Sequence, residues 1–562
     1  MSTNSRYIIQ DYISRPESIR NILSKLSWND GIDTFFNHKV PFSYSTGKNL
    51  AYKFSKLILA YLEQSNKKEI TILELGAGTG YLTKNVKFIL SSLIKDSSIN
   101  IKFIITDANP LIINQLKTSS NPDVGISYKC FNPLTDSIDS LGHVDIFLMC
   151  YLLDCFDTYH FETQTDKVFE WKIQSYIDSA DYVIKQKRRY LNYLNHENLV
   201  THVKNTLKNN ETNSFQQLAH CIKESYKKTD LPDTHPVFTH NLANQLIKKY
   251  HSQYSHKFNL SLDCLNCMDL LLKHLNTSQL LIVYDFGHSD LHSLTTKKAF
   301  KATYGMCNFY SINFLHLNYI SQLHNVYSHL TSYKNGDSQC MLFHKGLNFS
   351  KFNTVFNNLF NTTLTQSNTN ILSKINAYSK RKKTILDLPS YIEKKVTLLK
   401  DFQQDDYEFN IQISNLLIDK GYYLHAHVYL DQLIKKYNRF ARSAYFFKIK
   451  LLILENKETA IPPLLKSLDL TTLKHSGILY HLCLYYCKLE RYEEFEKYFY
   501  RFIDVTDYFI PWRFFIILQY IYSIKNFNTK LNHLNLFLNQ LIKANPLLLT
   551  EDIKTNLKKF MK

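Results

Sequence analysis

The sequence predicts an α/β protein whose first 346 residues form a doubly wound sheet, followed by an all-helical region. Three observations carry this. Apolar strand-length runs alternate with helix-length amphipathic runs up to about residue 346. A glycine-rich turn joins the first such strand to the helix after it. Beyond residue 400 only helical periodicity is found.

The elements follow in order. Residues 47–66 carry Leu50, Phe54, Leu57, Ile58 and Tyr61 at helical spacing. A strand at 70–75 runs through the glycine turn into a helix over 81–93. A second strand, 101–106, leads through Asp107 to a helix beginning near Pro110, a residue suited to a helix's first turn. A third strand spans 125–131. A fourth, 144–150, is continuously apolar, as a strand buried on both faces should be. A fifth, 279–284, ends in Asp285-Phe286-Gly287, and a last pair is expected at 326–331 and 339–343 around Lys334-Asn335-Gly336-Asp337. Between strands four and five, residues 175–272 read as a helical insertion beside the active site. In such a sheet the ligand sits at the carboxyl ends of the strands.

Residues 347–400, rich in Asn, Thr, Ser and Lys, read as a helical or loose linker. Within 401–562, Ala426, Ala460 and Glu494 recur at 34-residue intervals, each in an apolar helix–turn–helix context. That period resembles a tetratricopeptide-like array, with Gly421 and Ala426 fitting and the later copies losing their small residues. Such an array offers extended faces to a protein partner or substrate.

Bulk composition narrows the field. With 562 residues, 44% of them hydrophobic, the chain can bury several cores. The net charge of +18 comes from 67 basic and 49 acidic residues. The basic residues are dispersed, and the runs at 185–189 and 380–383 are short, so the charge reads as solvated surface and nucleic acid is not the expected partner. The ten cysteines show no disulfide pattern, and the single Cys264/Cys267 pair lacks the second pair a structural zinc would need; no metal is expected. Residues 1–27 lack an apolar stretch and include Asp11 and Glu17, and no run is long enough to cross a bilayer, so a cytoplasmic location is expected.

The chemistry lies in Glu74-Leu75-Gly76-Ala77-Gly78-Thr79-Gly80. A strand that turns sharply into a helix while its backbone approaches a ligand needs residues without Cβ that tolerate positive φ. The N–H groups at the helix start then favour an anionic group such as a carboxylate. Asp107 ends the next strand, where a carboxylate can accept from two ribose hydroxyls; Asn132 follows the third strand, where an adenine contact is expected. Even glycine spacing at 76, 78 and 80 differs from the dinucleotide G-x-G-x-x-G, and no Gly-Lys-Ser/Thr follows, which excludes a P-loop.

These residues resemble motif I and the following acidic position of class I, seven-stranded S-adenosylmethionine-dependent methyltransferases. More narrowly, residues 30–346 resemble the MidA family, which includes the mitochondrial complex I assembly methyltransferase. The resemblance rests further on the segment Cys150-Tyr151-Leu152-Leu153-Asp154-Cys155-Phe156-Asp157 with Tyr159-His160-Phe161 and Trp171, on Tyr284-Asp285-Phe286-Gly287, on Ile312-Asn313-Phe314, and on Pro41-Phe42-Ser43-Tyr44-Ser45-Thr46, which takes the place of a loop near the cofactor. It implies S-adenosylmethionine as cofactor, with Glu74, Gly76, Ala77, Gly78, Gly80, Asp107 and Asn132 around it. It also implies methyl transfer to a protein side chain, arginine being the family's known target.

One position departs from the family: Tyr151 stands where a Glu is expected, and a tyrosine supplies no negative charge at neutral pH. Asp154 and Asp285 are then the candidates to hold a cationic nitrogen, while His160 and His288 read as surface or core histidines before bases. The departure motivates an alternative, a methyltransferase fold kept for binding or assembly without turnover. RNA methylation is a third reading from charge alone; the Asn/Asp-Pro-Pro-aromatic motif of base-amino methylation is missing after the fourth strand.

Overall fold

The computed structural model describes residues 6–178 except 39, 120–124 and 165–166, residues 222–399 except 297–300, 332–337, 361–367 and 381–387, and most of 404–505. These fall into two compact units. One comprises residues 12–173 and 226–413; the other comprises 1–11, 174–225 and 414–562.

The first unit is built on the expected sheet. Its strands are β1 (Glu69–Leu75), β2 (Asn100–Asp107), β3 (Ile126–Cys130), β4 (Ile146–Cys150), β5 (Leu280–His288), β6 (Tyr327–Leu330) and β7 (Ser338–His344). They lie in the order β3-β2-β1-β4-β5-β7-β6. β1 to β5 are mutually parallel, and β7 runs antiparallel to both of its neighbours. This is the doubly wound seven-stranded architecture. The order reverses between β1 and β4, where Leu75 pairs with Met149, so the glycine turn opens beside the end of β4. Every residue of β4 is buried, which a central strand covered on both faces requires.

Helices cover both faces. On one side α1 (Lys48–Ser65) and α2 (Tyr81–Leu93) bury Phe54, Leu57, Tyr61, Leu82 and Val86 against Ile72, Ile146, Leu148 and Ile282. On the other, α4 (Leu262–His274) and α5 (Phe314–Leu323) bury Cys267, Met268, Leu271, Phe314 and Leu317 with Leu73, Met149, Leu281 and Val283. Helix α3 (Pro110–Ser119) starts at the proline that marked it in the sequence.

Two expectations need correction. Part of 175–272 is strand, not helix: Ile222–Asp230 and His256–Leu260 belong with Tyr159–Gln164 and Lys167–Asp178 to a second sheet, in which Phe161 stands opposite both Glu170 and Phe258. The cause is local. Val168, Trp171, Ile173, Tyr176 and Ile177 are β-branched or aromatic residues that suit a half-buried pleat. Short helices do occur at Pro236–Thr239 and Asn241–Leu246; residues 179–221 lie outside the described ones.

Likewise, residues 347–400 are not a mere linker. Helix α6 (Phe349–Phe360) inserts Phe352, Phe356 and Phe360 into the same core as α1. Tyr407 is buried as well, against Phe36, edge-on at 5.3 Å, and Phe42 at 6.3 Å.

The second unit's described residues after 414 are helical. Helices Tyr423–Tyr437, Arg442–Leu454, Ile461–Leu465, Ser476–Lys488 and Tyr492–Val505 follow one another. Ala426 and Ala444 are fully buried. Lys448 is held between Asp431 at 2.6 Å and His427 Nδ1, whose Nε2 donates to Glu455 at 2.6 Å. No helix among the described residues is long and apolar enough to cross a membrane.

Because Phe356 is 1% exposed in the sheet's own core, Phe356→Ala is expected to destabilise this unit by about 3–5 kcal/mol. Urea unfolding of the full chain followed by tryptophan fluorescence reads this directly. A change under about 0.5 kcal/mol would return 347–400 to the status of a connector.

Candidate functional site

The glycine turn is fixed from three directions. Gly76, Gly78 and Gly80 all have positive φ, 65°, 50° and 67°. A Cβ on Gly76 would meet Leu152 at 2.6 Å, and one on Gly78 would meet the Phe35 ring at 2.6 Å. The backbone is therefore approached closely by side chains from β4's loop and from the N-terminal segment, which only glycine permits. Ala77 N–H donates to Thr106 O at 2.9 Å and Gly78 N–H to Asp107 Oδ2 at 3.0 Å, so the end of β2 holds the turn.

Glu74 caps the following helix. It is 3% exposed and accepts from Thr83 Oγ1 at 2.6 Å and Thr83 N at 3.2 Å. Gly80, at the N-cap, has no side chain to do this, so the carboxylate from β1 satisfies the orphan N–H of the first turn. Burial pushes Glu74 up to about 7, with the charge of Asp107 adding to the rise and Thr83 opposing it. Asp107 is raised too, by burial, against the N–H groups of Asn109 and Gly78.

Across the crevice, Tyr151 follows the last residue of β4, with a φ of 51° that is unusual for a bulky residue. Its N–H donates to Tyr284 O at 2.8 Å, and its hydroxyl pairs with Ser338 Oγ. The ring leans on Tyr284 and Phe286. Tyr151 therefore turns the chain and faces β7.

The turn is pinned by Asp285, fully buried within β5. Its Oδ2 accepts from Leu153 N at 3.0 Å and Asp154 N at 3.3 Å, and its Oδ1 from Phe286 N at 2.8 Å. Asp154, 1% exposed, accepts the Cys155 thiol at Oδ1, and among the described residues its Oδ2 has no partner. Burial raises both carboxyls, and for Asp285 the charge of Asp154 adds to it. Glu74, Asp154 and Asp285 all lie within electrostatic reach of the buried Cys150 thiol, which they push up after burial itself.

The remaining expected residues fall as follows. Asn132 closes a turn: its Oδ1 accepts from Leu134 N at 3.0 Å, and its own N–H donates to Asp136 at 2.9 Å. His160 is on the second sheet, 3.1 Å from Asn259 Oδ1, and is held neutral by burial and by Arg15, down to about 3. His288 is buried at the last position of β5. The segment around 41–46 does reach the site: Ser45 O accepts from Cys150 Sγ at 3.3 Å, and Thr46 O accepts from Asn85.

Sequence reasoning missed the aromatic cover over the turn. Trp28 and Phe35 meet edge-on at 5.1 Å, and Phe35 meets Phe42 at 6.1 Å. Asn109 Nδ2 donates to Trp28 O at 2.6 Å and Ile32 N–H to Gln115 Oε1 at 2.7 Å, tying this segment to β2 and α3. Phe35, Phe36 and Phe42 in close succession were the only available signal.

Comparison with known proteins adds the following. The chain matches no family profile and no curated protein. Among solved structures it is similar to a Burkholderia thailandensis protein bound to S-adenosyl-homocysteine, with 10% identity, 60% of this chain and 90% of that one covered, and a TM-score of 0.40. It is also similar to human N-acetylserotonin methyltransferase in complex with S-adenosylmethionine (9% identity, 52% and 51% covered, TM-score 0.25). A third is an S-adenosylmethionine-dependent methyltransferase from Clostridium acetobutylicum (9%, 52% and 92% covered, 0.25). At such values the functional reading rests on the chain's own residues.

The raised Glu74 carboxyl has a measurable consequence. Between pH 4.5 and 7 the folded chain keeps a proton there that the unfolded chain loses, so stability falls as pH rises through that window, by on the order of 3 kcal/mol once the group ionises. Thermal unfolding from pH 5 to 8 is expected to show a flatter profile for Glu74→Gln, which can still accept from Thr83. Identical slopes for variant and wild type would mean that Glu74 is already ionised in this window.

Proposed function

We propose that this protein is an S-adenosylmethionine-dependent methyltransferase of the MidA-like kind, acting on a protein side chain, with arginine as the acceptor the sequence resemblance suggests. The observation that carries the reading is the crevice at the reversal of strand order. Three left-handed glycines lie on one side, and a buried carboxylate oxygen without a partner, Asp154 Oδ2, lies on the other.

The residues present fit the cofactor. Among the described residues, Thr79 Oγ1, inside the turn, is buried without a partner. Gly76 to Gly80 would take the methionine end, Asp107 the ribose and Asn132 the adenine side. Asp107 keeps lone pairs free beyond the two N–H groups it accepts, since each carboxylate oxygen takes more than one donor. When bound, the cofactor supplies a methyl group on a sulfonium, and the carbon–sulfur bond breaks with its electron pair left on sulfur.

The protein's part is alignment and proton handling. Leu152, Phe35 and Trp28 exclude water from the turn. Asp285 holds the 151–155 loop, and Asp154 faces the acceptor nitrogen. As the new carbon–nitrogen bond forms, Asp154 Oδ2 accepts the proton the nitrogen gives up, a role suited to a carboxyl whose burial lifts it towards neutrality. The helical second unit would present the protein acceptor. Tyr151 favours one competing reading, a fold that binds without turnover, because its hydroxyl is committed to Ser338.

Calorimetric titration with S-adenosylmethionine tests the reading. Micromolar binding is expected for the wild type, weakened at least about tenfold in Gly78→Arg and Asp107→Ala. Asp154→Asn should still bind while methyl transfer falls by about 10²–10⁴-fold. Affinity should rise several-fold from pH 6 to 8, as ionised carboxylates meet a cationic ligand. No binding by the wild type sinks the proposal; binding without transfer to any protein acceptor supports the silent-binder reading.

A further inference from the structure

Away from the glycine turn, three histidines that the proposed mechanism does not use form a continuous buried chain. His251 closes a widened helical turn, in which Ser252 N–H reaches back to Ile247 O. Its Nδ1 lies 2.9 Å from Nε2 of His256, on the second sheet, and its Nε2 lies 2.9 Å from Nε2 of His316, on α5. All three imidazoles are buried, and Phe258 stacks on His251 at 3.6 Å. The chain ties a helical turn, a strand and α5 together through imidazole nitrogens.

These contacts suit protons and not a shared metal ion. Two nitrogens on one zinc, each at about 2.0–2.1 Å, would stand about 3.3 Å apart. Here they are closer, and His251 offers opposite ring nitrogens to its two neighbours, so the three cannot converge on one ion.

The protons in the chain can be counted. Asn313 Oδ1 accepts from Leu315 N–H at 3.0 Å, which identifies its other terminal atom as the amide nitrogen. That nitrogen donates to His316 Nε2 at 2.9 Å, so His316 Nε2 carries no proton. Its contact with His251 therefore needs a proton on His251 Nε2. At the other end, His256 Nδ1 faces Tyr254 O at 3.3 Å and Thr163 Oγ1 at 3.5 Å. Thr163 gives its own proton to Tyr254 O at 2.6 Å, so both atoms present lone pairs to His256 Nδ1, which needs a proton there. The contact between His251 and His256 needs one more. Neutral imidazoles carry a single N–H each. Three contacts thus draw on two protons, and the chain is one proton short.

The surroundings set when that proton can enter. Among the described residues no carboxylate pairs with any of the three histidines. Glu162, on the adjoining strand, is engaged by Lys228 and Lys257. Asp290, beside the short helix Leu291–Thr296 that packs on strand His256–Leu260, accepts from Ser293, and His292 there is exposed. Lys249 lies over the Tyr250 and Tyr319 rings, and Tyr250 and Tyr254 adjoin His316 and His256. Burial, followed by the like charges of His316, His256 and His288, holds His251 well below the usual imidazole range. Burial also lowers His256, against the pull of Tyr254 O. His316 is held down to about 3 by burial and then by His288, so the proton does not settle there.

We propose that this chain is a proton-operated link: at acid pH the folded protein takes one proton from solvent, shared between His251 and His256, which closes the open contact to Tyr254. The tie between the second sheet and α5 then tightens or loosens with pH. The proposal does not depend on the function proposed above.

The test is deuterium exchange at the imidazole C2 carbon of each histidine in the full chain, mapped by peptide mass from about pH 4.5 to 8, with circular dichroism over the same range. In the wild type, His251 and His256 are expected to titrate with one common midpoint below the ordinary value of about 6.5, and His316 after them. His256→Gln separates a shared proton from simple repulsion. Repulsion alone predicts that removing His256 raises the His251 midpoint. On the proposal, His251 in the variant satisfies His316 while neutral and has no second acceptor to serve, so its proton affinity should fall at least about tenfold, one pH unit.

Should His256→Gln fail to fold, the wild-type profile alone decides. Separate midpoints for His251 and His256, titration of His316 before them, or unfolding before either takes up a proton would overturn the proposal. An unchanged or raised His251 midpoint in a folded His256→Gln would do the same.

Discussion

The candidate site depends on one buried carboxylate. Asp285 accepts three backbone N–H groups, two of them from the loop that follows β4. β4 and β5 are parallel neighbours, so their ends are already adjacent; Asp285 fixes how the chain leaves β4. That exit carries Tyr151 through a left-handed conformation, places Leu152 over Gly76 and buries Asp154. Three donors partly offset the cost of desolvating Asp285, yet burial still dominates and its carboxyl stays raised. Asp285 is accordingly a positioning group, and Asp154, with an unpartnered oxygen, is the one able to meet a substrate.

How much of this was legible in the sequence depends on the physics behind each residue. The glycine turn was legible because left-handed φ at 76, 78 and 80 leaves few alternatives to glycine. The sheet was legible because parallel central strands read as unbroken apolar runs, as in Ile146–Cys150. The roles of Asp154 and Asp285 could not be separated in the sequence, since the difference lies in which backbone N–H groups point at each. Asn132 shows the same limit: its side-chain oxygen serves its own turn. The second sheet was missed because Lys167–Asp178 mixes lysine with β-branched residues over a length that a helix also fits. Arg15 gave no signal at all, because its partners Asn259 and Tyr310 lie 244 and 295 positions away.

The two units share a long, interleaved chain path, and this constrains what the 34-residue repeat can mean. Residues 174–225 and 1–11 belong to the same compact unit as the helices after 414. A helical array added only at the C-terminus would leave residues 1–11 with the sheet. Here the N-terminal strand Arg6–Ile13 crosses from one unit into the other, so truncation after residue 400 would remove part of a unit that also draws on residues 6–11.

Charge gives the carboxyl edge of the sheet its final consequence. Glu74, Asp107, Asp154 and Asp285 are all raised by burial, which means that each would gain from a cation brought into the crevice. On the proposed function, a sulfonium cofactor would supply that cation, and an uncharged sulfur would remain once the methyl group had left. The attraction that draws the cofactor in is therefore weakened by the reaction itself, and the carboxyls return towards their neutral forms. An anionic group on the acceptor would be repelled by this edge.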